Sequence, residues 1–526
     1  SDPTHLLLFE AIGGNGKSML TWEWTTKHAT TVRPDWAGRF WYSFYERGAI
    51  MQDFCQRALA YMTGRPLKEF EKRKTAELKD ELIAQLHARP WLHILDGLER
   101  VLVAYHRIDA AEVPDEEANA PTDTILNRNP CDAIRDEDSD LLRALAACTP
   151  SKILVSSRLT PRILLTPAGQ TIPGAKRITL PGLRPPDAES LLRQCGITGE
   201  SAAIQDYLRQ NCDNHPLVIG ILAGLIANYL PDRGNFDAWS IDPTGGAALD
   251  LAKLDLIQRR NHILRAAFAG LSDASRELLS TLALLAESVD TKTLEAFDPH
   301  MSKPKDAWVR VKRALKAVLT MGGGRQAQQQ LAATVADLES RGLIHSDALG
   351  GRHYLHPVVG SVVAHSTSSA DLRRCGTRIV DHFTAVPHSP FATATTLDEL
   401  HAAILVVRTR LVLAQFQQAT ATVLDLARAL VFNLEAFPEI LALLRPLFPA
   451  GWNEMPVGVE EPQSFTLSHL ASIALGRCQG HTQAIEVLDT TISRVLHSEH
   501  WDELPYLLPN ISGFLCEAKR LSAGIR

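Results

Sequence analysis

Short apolar runs with little polar interruption punctuate the first third of the chain: Leu6-Leu7-Leu8-Phe9, Leu92-His93-Ile94-Leu95, Ile153-Leu154-Val155 and Arg177-Ile178-Thr179-Leu180. Runs of this kind suit strands buried on both faces, as in a parallel sheet covered by helices. The aromatic segment Arg39–Tyr45 reads as a further strand, since bulky aromatic side chains fit a pleated surface. Helical spacing of apolar residues follows Lys17 and fills 49–62 and 67–87. Five strands alternating with helices predict an α/β domain built on a five-stranded parallel sheet.

Downstream the pattern turns helical. Leu217–Leu230 is a continuous apolar stretch, shorter than the roughly 20 residues needed to cross a bilayer, and reads as a buried helix. Ser272 and Asp290 stand where N-caps would open helices running to Leu285 and Phe297, and Gln329–Arg341 forms a third helix. Gly342-Leu343-Ile344 and His353-Tyr354-Leu355 flank Gly350-Gly351, which predicts a hairpin and, with the three helices, a winged helix. From about Leu372 the chain is helical, with helical periodicity in Leu400–Leu430 and Phe465–Leu496.

At 526 residues the chain exceeds a single core and predicts several domains. A net charge of −6 and a pI near 6.3 give no overall electrostatic attraction to nucleic acid. Val309–Lys316 is the one dense basic stretch, and such runs are usually solvated faces. The eight cysteines are scattered without a Cys-x-x-Cys pair, which fits a reducing, cytoplasmic setting. Residues 109–140 are acidic and rich in Pro and Asn, and read as a surface insertion. No signal peptide opens the sequence, and its abrupt start just before a strand suggests a segment of a longer protein.

The chemistry concentrates after the first strand. Ala11-Ile12-Gly13-Gly14-Asn15-Gly16-Lys17-Ser18 lies between a strand and a helix, the context in which a glycine-rich loop turns successive backbone N–H groups toward phosphate. Ile12, Gly13, Gly14, Asn15, Gly16, Lys17, Ser18 and Met19 are therefore expected to hold ATP or ADP. Lys17 would reach the β/γ oxygens and Ser18 would coordinate Mg²⁺. Asp96 ends the second apolar run, and a carboxylate at a strand's C-terminal edge can hold Mg²⁺ through its water shell. Glu99, three residues on, is the candidate to orient or deprotonate an attacking water. Arg158 follows the Ser156-Ser157 strand end, where a guanidinium could contact the γ-phosphate.

The order of these motifs resembles the STAND class of signal-transducing P-loop ATPases, which includes NACHT and NB-ARC proteins. Asp96-Gly97-Leu98-Glu99 is similar to the NACHT Asp-Gly-Leu-Asp, with Glu in the second acidic place, and Ser156-Ser157-Arg158 is similar to the NB-ARC γ-phosphate motif. Leu180-Pro181-Gly182-Leu183 followed by Asp187–Leu192 resembles the entry to the small helical domain. Asn214-His215-Pro216-Leu217 resembles the motif whose proline packs on adenine, with His215 replacing a small residue or Leu. Leu355-His356-Pro357 resembles the Met-His-Asp position, so His356 is the expected β-phosphate contact, although Pro357 departs from Asp. Ala474-Leu475-Gly476-Arg477, Gly480 and Ala484-Ile485 are similar to a tetratricopeptide helix pair, and Trp501 begins a possible next unit.

The resemblance implies a P-loop domain over 1–182, a small helical domain over 183–250, a winged-helix domain over 251–370 and an α-solenoid over 371–526. It also implies a slow ATPase used as a switch. A trigger caught by the C-terminal repeats would drive homo-oligomer assembly and activate an effector domain N-terminal to this segment, in bacterial antiviral defence. The winged helix would be a packing module, with DNA and membrane not expected as partners. The alternatives are a STAND-type transcription regulator and a constitutive AAA+-like ATPase ring.

Overall fold

The computed structural model describes residues 3–45, 50–71, 73–105, 129–249, 251, 254–300, 323–347, 351–478, 481–498 and 500–524. The basic stretch Val309–Lys316 and most of the acidic insertion lie outside the described residues.

The five apolar segments form strands β1 (Leu6–Glu10), β2 (Gly38–Ser43), β3 (Trp91–Asp96), β4 (Lys152–Ser157) and β5 (Ala175–Thr179). All pairings are parallel and the order is β2-β3-β4-β1-β5. All six residues of β3 are buried, as expected of a strand with neighbours on both edges and helices on both faces. The register places Ser156 beside Asp96 and Ser157 beside Glu10. β4 therefore brings the β3 carboxylate next to the end of β1, where the glycine-rich loop leaves the sheet.

Helices Lys17–Lys27, Met51–Thr63 and Thr75–Ala88 follow in the first domain. The single helix expected over 67–87 is divided: Leu67–Glu69 is one 3₁₀ turn and the α-helix begins at Thr75. Phe70, fully buried, anchors the break under stacked Arg65 and Arg73 guanidiniums. The expected insertion over 109–140 is shorter at its C-terminal side. Leu102 bridges Ala133 antiparallel, Ile134 N donates to Val101 O, and Asp136–Leu145 is helical. Leu141, Leu142 and Leu145 place that helix in the sheet's core.

Helices Pro185–Gln194, Ser201–Cys212, Pro216–Ala227 and Leu256–Ala269 come next, then Asp273–Leu285, Thr291–Ala296 and Gly323–Ser340. Ser272 and Asp290 cap their helices through bonds from Ser275 N and Thr293 N. A three-stranded sheet of β6 (Val289–Asp290), β7 (His345–Asp347) and β8 (Arg352–Tyr354) forms the wing. Its hairpin starts later than the sequence suggests. Gly342 closes the preceding helix with φ 67°, and Leu343 and Ile344 drop into the core before pairing begins. One apolar cluster runs through the segment from Ala188 to Val363 and reaches Val406. Gly224 makes part of that continuity possible, since an added Cβ would lie 2.6 Å from Arg341 Cα.

The C-terminal third is an array of helices including Ser369–Thr384, Leu397–Val412, Phe416–Arg428, Phe437–Leu444, Glu461–Cys478, His481–Ser498 and Leu504–Gly524. Neighbours in sequence pack on one another, the arrangement of a helical repeat array. Val103 and Ile134 of the first domain join the apolar cluster of this array, so the two regions share a packed face.

Candidate functional site

The loop after β1 is shaped by its glycines. Gly14 has φ 88° and Gly16 φ 84°, a left-handed geometry that glycine adopts without a Cβ clash. The turn feeds helix Lys17–Lys27 with Gly16 as N-cap and no side-chain cap, so its first N–H groups remain available to an anion. Lys17 Nζ folds back over the loop, donating to Ala11 O at 2.7 Å and Ile12 O at 3.1 Å. Ser18 Oγ donates to Asp96 Oδ1 at 2.7 Å, and Ser156 Oγ donates to the same oxygen. Burial pushes the Asp96 carboxyl up, while the two serine hydroxyls hold it down. A hydroxyl and a carboxylate this close form an oxygen-only set suited to a hard cation with retained waters. Among the described residues no group of three or more His, Cys, Asp or Glu is placed to hold a metal ion.

Glu99 is fully buried beside Arg158, whose side chain is 5% exposed, with Arg158 Nε 3.3 Å from Glu99 Oε1. Arg158 N donates to Glu99 Oε2 at 3.1 Å, and Tyr45 OH donates to Oε1. The Tyr45 ring lies against Gly97, where an added Cβ would sit 2.5 Å from Cε2. Burial first, then the Glu99 charge, pushes the Tyr45 phenol well up. The structure thus joins Glu99 and Arg158 as a buried ion pair at the strand ends.

Residues far downstream close on the loop. His215 Nε2 lies 3.1 Å from Gly13 O, and Leu217 N approaches Gly14 O at 3.4 Å. Pro216, between them, opens helix Pro216–Ala227. An added Cβ at Gly13 would lie 2.5 Å from Val358 Cγ2 and 3.1 Å from Arg158 Cζ. His356 caps helix Pro357–Ser366, its Nδ1 accepting from Val358 N at 3.2 Å. Burial drives the His356 pKa well down, and Arg158 and Lys17 add to the effect, so its imidazole is neutral near pH 7. Asn15 Nδ2 donates to Leu180 O at 2.8 Å and Pro181 O at 3.1 Å, tying the loop to the chain leaving β5. Met19 points outward, 71% exposed.

The expected residues from Ile12 to Ser18 therefore meet Asp96, Glu99, Arg158, the Pro216 helix start and His356 in one region. Sequence reasoning missed Tyr45 and Val358 as parts of it, gave His215 no contact of its own, and placed Ser156 only in the motif with Arg158, without its bond to Asp96. Tyr45 ended the aromatic run and Ser156 preceded Arg158, but neither position revealed its partner.

No protein-family model matches the chain, and no curated protein matches it. Among solved structures, the chain is similar to a Signal Transduction ATPase with Numerous Domains protein with a tetratricopeptide repeat sensor from Pyrococcus horikoshii. That pair is 14% identical over 95% of this chain and 63% of the other, with a TM-score of 0.46. A Walker-type ATPase of Pyrococcus abyssi is 12% identical over 69% of this chain and 91% of its own, with a TM-score of 0.28. The ORC2 protein of Aeropyrum pernix is 11% identical over 69% of this chain and 89% of its own, with a TM-score of 0.28. The chain thus spans less than two thirds of the length of the Pyrococcus horikoshii protein. The strand order, the left-handed loop and the Ser18–Asp96 contact are decisive in themselves. This is a P-loop NTPase fold. It continues into a winged, helical middle region and a C-terminal helical array.

Proposed function

We propose that the chain is a nucleotide-controlled switch that binds ADP or ATP with Mg²⁺ at the loop Ile12–Met19 and changes its domain contacts with the nucleotide bound. The observation that carries this reading is the closure of the loop by residues more than 200 positions away, His215 and Leu217 on Gly13 and Gly14 and Val358 against Gly13. Any shift of the loop backbone changes those contacts, so occupancy and domain arrangement are thermodynamically linked.

The loop N–H groups and Lys17 would bind the phosphates, and Ser18 with Asp96 would hold the Mg²⁺ shell, whose chemistry is to neutralise phosphate charge. Pro216 would flank the base, and His356, a neutral donor or acceptor, would meet the β-phosphate side. Glu99 would orient a water and Arg158 would reach toward the γ-phosphate. In the arrangement observed Glu99 is engaged by Arg158 and Tyr45, which supports a resting state with slow hydrolysis. Release of that pair would be the activating step. The NACHT- and NB-ARC-like motifs, together with the helical array, support assembly into homo-oligomers when the array meets a trigger. They also support control of an effector domain outside this segment, with bacterial antiviral defence as the expected setting.

Calorimetry with ADP and ATP at millimolar Mg²⁺ tests the reading. Saturable binding is expected, and Lys17→Ala should weaken it by about 2–3 kcal/mol, roughly 30- to 150-fold, the scale of a lost charge-assisted contact. Absence of nucleotide uptake, or equal uptake by Lys17→Ala, would overturn it.

A further inference from the structure

The first domain and the C-terminal array meet around a cavity of about 230 Å³, away from the loop Ile12–Met19. The 3₁₀ turn Leu98–Val101 and helix Asp136–Leu145 line one side, and helices Leu397–Val412 and Phe437–Leu444 line the other. The contact around it is apolar, with Val103 and Ile134 in the cluster that holds Leu400, Val407 and Leu443. Each side also brings one carboxyl to the cavity, Asp138 from the first domain and Glu439 from the array.

Asp138 is buried and Glu439 half-buried as whole residues. Asp138 Oδ1 and Glu439 Oε2 are nonetheless both covered, and neither has a hydrogen-bond partner among the described residues. A charged oxygen so placed lacks both water and a donor, whereas a protonated carboxyl is tolerated there at much lower cost. Burial accordingly raises both groups to about 7. Arg135 opposes the rise, Glu137 adds to it at Asp138, and Asp138 adds to it at Glu439.

The cations nearby are engaged with other groups. Arg135 donates to Glu137 and to Thr75. Arg100 stacks 5.0 Å over the Tyr45 ring and is attracted by Glu99. Arg408 has a partner of its own. Glu435 also lines the cavity and adds a like charge, and Tyr105 lies on the first-domain wall. Cys55, on helix Met51–Thr63, is within reach of Asp138, Asp53 and Lys79, but burial pushes its thiol well up and keeps it neutral. Cys478, on helix Glu461–Cys478, is within reach of Arg135.

We propose that Asp138 and Glu439 form a proton-dependent clasp: protonated, they let the first domain and the helical array close on each other, and ionised, they drive the contact open. Two carboxylates facing each other across the cavity repel, with no donor between them, and separation returns each to water. Carboxyls in water ionise near 4, so opening releases protons. Docking is therefore fully supported at or below about pH 4, still strong near pH 6, and weakened as pH rises through 7. Each group lowers the docking constant about tenfold between pH 6 and pH 8. The clasp is independent of what the loop Ile12–Met19 binds.

Hydrogen exchange read by mass spectrometry on the full chain tests the clasp. The unaltered protein is compared with the double variant Asp138→Asn, Glu439→Gln, whose amides keep the side-chain shape and cannot ionise. Both are read at the same pH, so the intrinsic exchange rate cancels in their ratio. In peptides covering 98–105 and 397–412, the ratio of unaltered to variant rate should be near one at pH 6 and about tenfold or more at pH 8. Peptides covering β3 and β4 should keep one ratio at both. A ratio at the contact that stays constant from pH 6 to pH 8 overturns the proposal. So does a rise shared equally by β3 and β4, which reports loss of the whole fold. If the double variant fails to fold by circular dichroism, Glu439→Gln alone decides: a rise of about threefold or more is expected, and no rise overturns the proposal.

Discussion

His93 sits in the middle of β3, fully buried, between the rings of Phe40 at 5.4 Å and Phe54 at 5.9 Å. Neither ring nitrogen has a hydrogen-bond partner among the described residues, and burial drives its pKa down to about 3. Two unsatisfied polar atoms in an apolar strand destabilise it, so His93→Leu should stabilise the fold by about 1–3 kcal/mol in urea unfolding at pH 7. Glu99 is the opposite case. Its charge is balanced by Arg158, and removing one partner of a buried pair leaves the other uncompensated. Glu99→Gln should cost about 3 kcal/mol in the same measurement, a loss that a surface carboxylate would not produce. At this scale the residues of the loop and Asp96 were legible because their spacing is dictated by phosphate geometry. The Tyr45–Glu99 contact was not, because the two residues are 54 positions apart and nothing in either segment encodes the other.

Elements followed local rules wherever the rule was local. Ser272 and Asp290 cap as their side chains suggest. A further capping box opens helix Leu256–Ala269: Gln258 N donates to Asp255 Oδ1 at 2.9 Å and Asp255 N to Gln258 Oε1 at 3.2 Å. Asp255→Ala should lower stability by about 1 kcal/mol, with the loss confined to this helix and its neighbours in hydrogen exchange. Where packing competed with periodicity, periodicity lost. Phe70 broke a helix expected to continue through it. Leu343 and Ile344 were drawn into the core at the expense of an earlier strand start. The segment 129–134, compositionally loop-like, gained backbone partners from 101–104.

For the molecule as a whole, buried titratable groups set opposing pH limits. Asp138 and Glu439 are raised to about 7 by burial, Arg135 pulling both down, with Glu137 adding to Asp138 and Asp138 to Glu439. The folded state therefore holds protons that unfolded carboxyls, near 4, have already released. Stability from these groups is highest at or below pH 4 and declines as pH rises through 7. Asp138→Asn should accordingly raise the thermal midpoint at pH 8, by about 1–3 kcal/mol in free energy, and leave it unchanged at pH 4. His93 and His356 act in the other direction: their depressed values mean that stability falls as pH drops below about 6.5. A doubly limited stability profile follows, narrowed from the alkaline side by a domain contact and from the acid side by two buried imidazoles.

The sequence by itself determined the parallel sheet, the glycine-rich loop with Lys17 and Ser18, the Asp96 strand end and the helical character of the C-terminal third. Each is written in contiguous residues, where spacing alone fixes backbone geometry and the face a side chain takes. Only the tertiary structure decided that His215, Leu217 and Val358 close on the loop, that Arg158 pairs with Glu99, and that Val103 and Ile134 pack into the helical array. Such contacts depend on loop closure over hundreds of residues and on how separate apolar faces settle against each other, and no local pattern carries that information.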